Sequence, residues 1–261
     1  MHSLALECGP ADREWLLGEL YERGTLGVIE HDLPGGAASL EAFFEAPFDT
    51  FEFTRFGARW AERAPDVDSW REPWEPVCVG ERFFLVPDWR DDPAPRGRLR
   101  LAIHARQASG SGYHPPTQLM LRAMEQVVGR GSFLDVGAGS GILCDAARLL
   151  GANPVWGCDI DPEAAAEARE NIPRAALFVG SARAVRGGVA AVAAANLNAQ
   201  ALLALSADLT RVLAPGAALI LGGFKQRNLD RVTDAFRALA VAGILEDGEW
   251  RCVILRRARP I

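Results

Sequence analysis

Residues Phe133-Leu134-Asp135-Val136 form a short apolar run that leads into glycines at 137, 139 and 141, and a helical pattern starts at Ile142. A strand that breaks into a glycine turn and then a helix is the opening unit of a doubly wound, Rossmann-like α/β sheet, which narrows the possible folds sharply. Glycines in such a turn reach backbone angles closed to other residues and leave no side chain between the main chain and a ligand. A second apolar run, Val155-Trp156-Gly157-Cys158, ends in Asp159, 22 positions after Gly137. At the end of the neighbouring parallel strand, that carboxylate is placed to accept both hydroxyls of a ribose. The two strand ends predict a nucleoside-type cofactor.

The glycine spacing separates two cofactor classes. A dinucleotide fingerprint is G-x-G-x-x-G, with a pyrophosphate on the helix N-terminus. Here Ile142 stands where its third glycine belongs. Gly137, Gly139 and Gly141, with Asp135 two residues ahead, resemble motif I of the class I S-adenosylmethionine-dependent methyltransferases. That cofactor has an ammonium and a sulfonium and no pyrophosphate, and a carboxylate with nearby carbonyl groups suits it better than a row of N–H groups.

Composition bounds the remaining classes. At 261 residues the chain has room for one large α/β domain and a smaller one. A net charge of -6 argues against general nucleic-acid affinity. The cysteines at 8, 78, 144, 158 and 252 make no C-x-x-C and no metal-ligand spacing, as expected of reduced residues in a cytoplasmic protein. No signal peptide is evident, and Asn196, Asn198 and Gln200 interrupt the Ala-rich segment from Gly187 to Leu205, which reads as a buried strand rather than a membrane span. Charge is uneven: residues 1–60 hold eleven acids against four arginines. An acidic module of that kind suits a basic partner or is an ordinary solvated surface.

Patterning predicts a strand at Leu4–Glu7, a helix at Ala11–Arg23 with Trp15, Leu16 and Leu20 on one face, strands at Leu26–Glu30 and Leu40–Phe44, and a second helix at Thr54–Glu62. That order suggests a small α+β, ferredoxin-like domain over 1–60. A linker region rich in Pro, Trp and acid follows over 61–100, with strand-like runs at Arg82–Val86 and Arg98–Ile103. The doubly wound domain occupies 101–261: helices at Thr117–Val128, Ile142–Leu150 and Ala199–Leu213, strands at Leu177–Val179, Val189–Ala195 and Ala218–Leu221, and Glu249–Leu255 as an antiparallel edge. Asp161-Pro162 reads as the N-cap and first turn of a further helix.

Gly110-Ser111-Gly112-Tyr113-His114-Pro115-Pro116-Thr117, Leu134 to Leu143, Gly157 to Pro162 and Ala195-Asn196-Leu197 together resemble the PrmA family, methyltransferases of protein eleven of the large ribosomal subunit. The likeness covers nearly the whole chain. It includes the family's N-terminal substrate-recognition module, its tryptophan-containing linker (Trp70, Trp74, Gly80 to Phe83, Val86-Pro87, Trp89) and a C-terminal Gly248-Glu249-Trp250. The resemblance implies methyl transfer from S-adenosylmethionine to amines of a ribosomal protein by a monomeric cytoplasmic enzyme, with no metal and no direct contact with nucleic acid or membrane. It also implies cofactor contacts from Thr117, Gly137 at the methionine end, Asp159 on the ribose, Ser181 near the adenine and Asn196 beside the transferred methyl, with Asp135 and Gly139 completing motif I. Thr117 and Ser181 are equally placed to cap the helices that follow them. His114 reads as loop-shaping, and no dedicated catalytic base is expected.

The chain departs from the family where Ser109-Gly110-Ser111-Gly112 replaces Phe-Gly-Thr-Gly, where His114-Pro115-Pro116-Thr117 replaces His-x-Thr-Thr, and where Leu197-Asn198-Ala199 follows the strand-four asparagine. These positions border the target amine, and Asn198 joins Asn196 as a candidate to orient it. Two alternatives stay open: a small-molecule methyltransferase on the same scaffold, and a cofactor-binding interaction module without transfer activity.

Overall fold

The computed structural model describes residues 2–25, 27–62, 75–104 and 114–259. The chain forms two compact units, Met1–Trp74 and Glu75–Ile261. Trp70, Trp74 and the Gly110–Tyr113 loop lie outside the described residues, as does Leu26.

In the first unit β1 (His2–Cys8), α1 (Arg13–Glu22), β2 (Gly27–Asp32), β3 (Ala38–Phe44) and β4 (Arg59–Glu62) build an antiparallel sheet in the order β2-β3-β1-β4. This is the split βαβ arrangement of a ferredoxin-like module. Alternate residues of β1 and β3 turn inward, where Leu4, Leu6, Leu40 and Ala42 meet Leu16 and Leu20 of α1.

Two expectations fail in this unit. The second helix is absent; a 3-10 segment over Phe51–Phe56 ends at Gly57 in the left-handed region, and the chain then runs as β4. Aromatic packing accounts for this, since Trp60 on β4 meets Phe44 and Phe48 edge-on at 5.6 and 5.2 Å. Trp15 does not join Leu16 and Leu20 in the core. It stays 46% exposed and lies against Phe53 and Phe56, with the Arg55 guanidinium over its ring.

The second unit opens with β5 (Val77–Val79), β6 (Phe83–Pro87) and β7 (Leu99–Ile103), a three-stranded sheet from much of the segment read as a linker. Helix α2 (Pro115–Val127) follows, and its Glu125 carboxylate accepts the backbone N–H groups of Glu81 and Arg82 at 3.0 and 2.8 Å. Then come β8 (Phe133–Val136), α3 (Ile142–Leu149), β9 (Val155–Asp159), α4 (Pro162–Asn171), β10 (Ala176–Val179) and β11 (Ala190–Asn196). The unit closes with α5 (Ala199–Ala204), α6 (Ser206–Val212), β12 (Leu213–Lys225), α7 (Leu229–Ala235), β13 (Ala240–Asp247) and β14 (Trp250–Arg256).

The main sheet runs β10-β9-β8-β11-β12-β14-β13. Its first five strands are parallel, and β14 pairs antiparallel with both β12 and β13. Sequence order runs outward from β8 through β9 to β10 on one side and restarts at β11 on the other. The crevice beyond the carboxyl ends of β8 and β11 is therefore the topological switch point, where ligands bind in sheets of this kind. The closing strand is antiparallel as expected, yet the edge belongs to β13. The long helix expected over Ala199–Leu213 is broken at Leu205 into α5 and α6, and Leu213 already belongs to β12. The Ala-rich segment is a strand only from Ala190 to Asn196.

Candidate functional site

Five sequence-predicted residues meet around the switch point: Asp135 in β8, Gly137 and Gly139 in the turn beyond it, Asp159 at the end of β9 and Asn196 at the end of β11. The turn depends on glycine. Gly137 and Gly141 have φ of 79° and 85°, and a Cβ on Gly137 would lie 2.5 Å from Leu197 Cδ2. On Gly141 it would lie 2.7 Å from Ile172 Cδ1, so Gly141 gives the close packing that a dinucleotide site takes from its third glycine.

The hydrogen bonds of this turn argue against a pyrophosphate. Gly137 and Ala138 N–H donate to the Cys158 carbonyl at 2.8 and 3.0 Å, and Gly139 N–H donates to Asp159 Oδ2 at 2.9 Å. Gly137, Ala138 and Gly139 therefore turn their N–H groups into the protein rather than toward a ligand. Asp159 Oδ1 also accepts from Asp161 N–H at 3.0 Å, and because a carboxylate has about four acceptor positions, it keeps capacity for ribose hydroxyls. Asp161 caps α4 as expected, accepting from Glu163 N–H at 2.9 Å ahead of Pro162.

What the turn does present is unpaired acceptors. Asp135 is fully buried, its Oδ1 has no hydrogen-bond partner among the described residues, its Oδ2 meets the Cys144 thiol at 3.8 Å, and the adjacent Val136 N–H is the one backbone group that favours its charged form. Burial first, and the neighbouring Asp159 charge second, push its carboxyl up to about 8. Asn196 donates through Nδ2 to Thr117 Oγ1 at 3.4 Å, which leaves its Oδ1 buried and likewise without a donor. Two buried acceptors awaiting donors fit the ammonium end of S-adenosylmethionine, so the residues suit that group.

Thr117 is buried in the first turn of α2 and does not cap it; His114 takes the N-cap position without a side-chain bond. Ser181 does cap, accepting from Arg183 N–H at 3.4 Å. Asn198 is exposed, and its Oδ1 accepts from Ala201 N–H at 2.9 Å as the N-cap of α5. The Asn198 carbonyl, the second candidate to orient an amine, thus spends one of its two lone pairs on a helix cap. Burial pushes the thiols of Cys158 and Cys252 up to about 12 and that of Cys144 well above its usual range, so none of the three offers a thiolate. Among the described residues no group of three His, Cys, Asp or Glu side chains could hold a metal ion, and no helix is long and apolar enough to cross a membrane.

The sequence reading missed three features. Ile160, beside Asp159, is 77% exposed and offers an apolar face where a planar base could lie. Leu197 fills the space left by Gly137. Gly223, at φ 83°, lets β12 approach so closely that a Cβ would stand 2.6 Å from the Leu197 carbonyl oxygen. The Gly222-Gly223 pair after an apolar run was the available signal.

Comparison with known proteins agrees with this geometry. The family profile described as ribosomal protein L11 methyltransferase (PrmA) matches residues 50–258. The chain is 39% identical over 190 residues to a protein of that name from Geobacter metallireducens, covering 71% of this chain and 64% of the relative. It is 35% identical over 203 residues to another from Gloeobacter violaceus, covering 75% and 64%. The matched region thus spans just under two thirds of the length of these relatives. The crystal structure of the ribosomal protein L11 methylase from Lactobacillus delbrueckii subsp. bulgaricus superposes with a TM-score of 0.63 at 25% identity, over 71% of this chain and 99% of that one. On these matches the chain belongs to the ribosomal protein L11 methyltransferase (PrmA) family.

Proposed function

We propose that the chain binds S-adenosylmethionine at the β8–β11 switch point and methylates amines of ribosomal protein L11, lysine side chains or the N-terminal amine. The observation that carries this is the pair of buried, unpaired acceptors, Asp135 Oδ1 and Asn196 Oδ1, beside a turn in which Gly137, Ala138 and Gly139 donate within the protein. Asp135 receives the ammonium, Asp159 the ribose hydroxyls, and Ile160 the face of the adenine. Ser181, fixed at the end of β10 by its cap, borders the base.

When bound, the cofactor supplies an electrophilic methyl on a sulfonium. The protein's task is to hold a neutral amine in line with that methyl. A lysine amine of pKa about 10.4 is neutral in about one part in a thousand near pH 7.4, a handicap of about 4 kcal/mol. A desolvated pocket next to positive charge lowers that pKa and returns part of the handicap. Positioning nitrogen about 3 Å from the methyl supplies most of the rest. Asn196, steadied by Thr117, offers the one carbonyl oxygen at the end of β11 suited to orient the amine. The proton leaves to water. The acidic first unit supplies charge complementary to a basic ribosomal protein, and the enzyme works as a cytoplasmic monomer.

The test is mass spectrometry of purified L11 incubated with this protein and S-adenosylmethionine. Mass gains in steps of about 14 Da are expected. An unchanged L11 mass alongside methylation of a small molecule would overturn the protein-substrate reading.

A further inference from the structure

Among the described residues Asp135 is the only carboxylate completely shielded from water. Its Oδ1 has no hydrogen-bond partner among the described residues, Oδ2 meets the Cys144 thiol at 3.8 Å, a long contact to a weak donor, and the adjacent Val136 N–H is the one backbone group that favours the charged form. An ionised carboxylate there has lost its water without gaining strong hydrogen bonds, so the neutral acid is the cheaper form. Among the described residues the neighbouring elements give it no cation. Helix α3 brings Cys144, with Asp145 next to it in sequence; β9 brings Cys158 and Asp159; β11 lays Ala194 alongside in register. Every titratable group in that set is neutral or negative. His114 stands exposed at the head of α2.

Resting on the cofactor reading given above, we propose that Asp135 stands as a neutral acid in the unloaded protein and gives up its proton when an ammonium enters, so that loading the cofactor expels one proton to solvent. The acid's O–H bond breaks, the proton goes to bulk buffer, and the resulting carboxylate accepts an N–H of the incoming ammonium. A neutral, underserved acid becomes half of a buried ion pair. Burial and the Asp159 charge keep the acid protonated up to about pH 8. Affinity for an ammonium-bearing ligand therefore rises about tenfold per pH unit below that point and levels off above it. Asp135 thus acts as a proton-exchanging counter-ion.

Titration calorimetry on the full chain tests this without turnover. The ligands are S-adenosylhomocysteine, which keeps the ammonium, and 5′-methylthioadenosine, which keeps the adenosine and lacks it. In buffers of different ionisation enthalpy, the first is expected to release close to one proton near neutral pH. It should also bind about 20-fold more tightly at about pH 7.5 than at about pH 6. The second is expected to bind with no release and a flat pH profile. In Asp135→Asn, release with S-adenosylhomocysteine is expected to vanish and its pH profile to flatten. Binding of S-adenosylhomocysteine without release overturns the proposal and leaves the cofactor reading standing; so does release that survives in Asp135→Asn and therefore belongs to another group such as His114. Failure of both ligands to bind overturns the cofactor reading and the proposal with it.

Discussion

Asp159 ties the two strand ends together: one oxygen holds the Gly139 N–H and the other the Asp161 N–H. Asp159→Ala is therefore expected to weaken S-adenosylmethionine binding by about 1 to 3 kcal/mol through lost charge-assisted bonds to the ribose. It should also loosen the motif turn. Calorimetry checks the affinity, and an unchanged value would place the adenosine elsewhere. Asp159, Asp161 and the glycines were readable because each acts on residues a few positions away or at a fixed strand offset. Leu197 and Ile160 were not. Leu197 matters through its packing against Gly137, sixty positions earlier, and no local spacing encodes that contact. Thr117 shows the same limit, since a threonine near a helix start reads as a cap until Asn196, 79 positions away, is found donating to its hydroxyl.

Elements were legible where hydrophobic period and punctuation agreed. Strands β8 and β9 and the cap and proline of α4 stood out in the sequence because apolar runs there end in turn or capping residues. Edge elements were obscured. β13 lies at the edge with Val241 and Ile244 about half exposed, and its apolar residues run together without the alternation that marks a half-buried strand. β4 looked helical because its one aromatic residue, Trp60, packs against Phe44 and Phe48, residues distant in sequence, and no local period marks that contact. Asn198 was read as part of the chemistry, whereas the structure gives it to α5. Asn198→Ala is accordingly expected to cost about 0.5 to 2 kcal/mol of stability, the range for a lost N-cap, with cofactor affinity nearly unchanged. Thermal unfolding and calorimetry measure the two separately. A large loss of cofactor affinity at unchanged stability would return Asn198 to the site.

At the scale of the whole molecule, the first compact unit carries one sheet and the second carries two, and the residues proposed for the cofactor, Thr117, Asp135, Gly137, Gly139, Asp159, Ser181 and Asn196, all belong to the second. The first holds the excess acid, eleven carboxylates against four arginines over residues 1–60. Removing residues 1–74 is expected to leave S-adenosylmethionine affinity nearly intact and to abolish methylation of intact L11, because the cofactor site draws no residue from the first unit. In the function proposed, docking of a basic substrate does draw on it. Since that docking is partly electrostatic, raising salt from about 0.05 to about 0.5 M shortens the screening length from about 14 to about 4 Å. Affinity of the full chain for L11 should fall under that change far more than affinity for the cofactor, whose carboxylate contacts are buried or half-buried and poorly reached by ions. Binding measured by calorimetry at both salts, with mass spectrometry of L11 after incubation with full-length and shortened chains, tests the division. A shortened chain that still methylated L11 at the full rate would remove the acidic unit from the mechanism and favour a small-molecule substrate for the second unit.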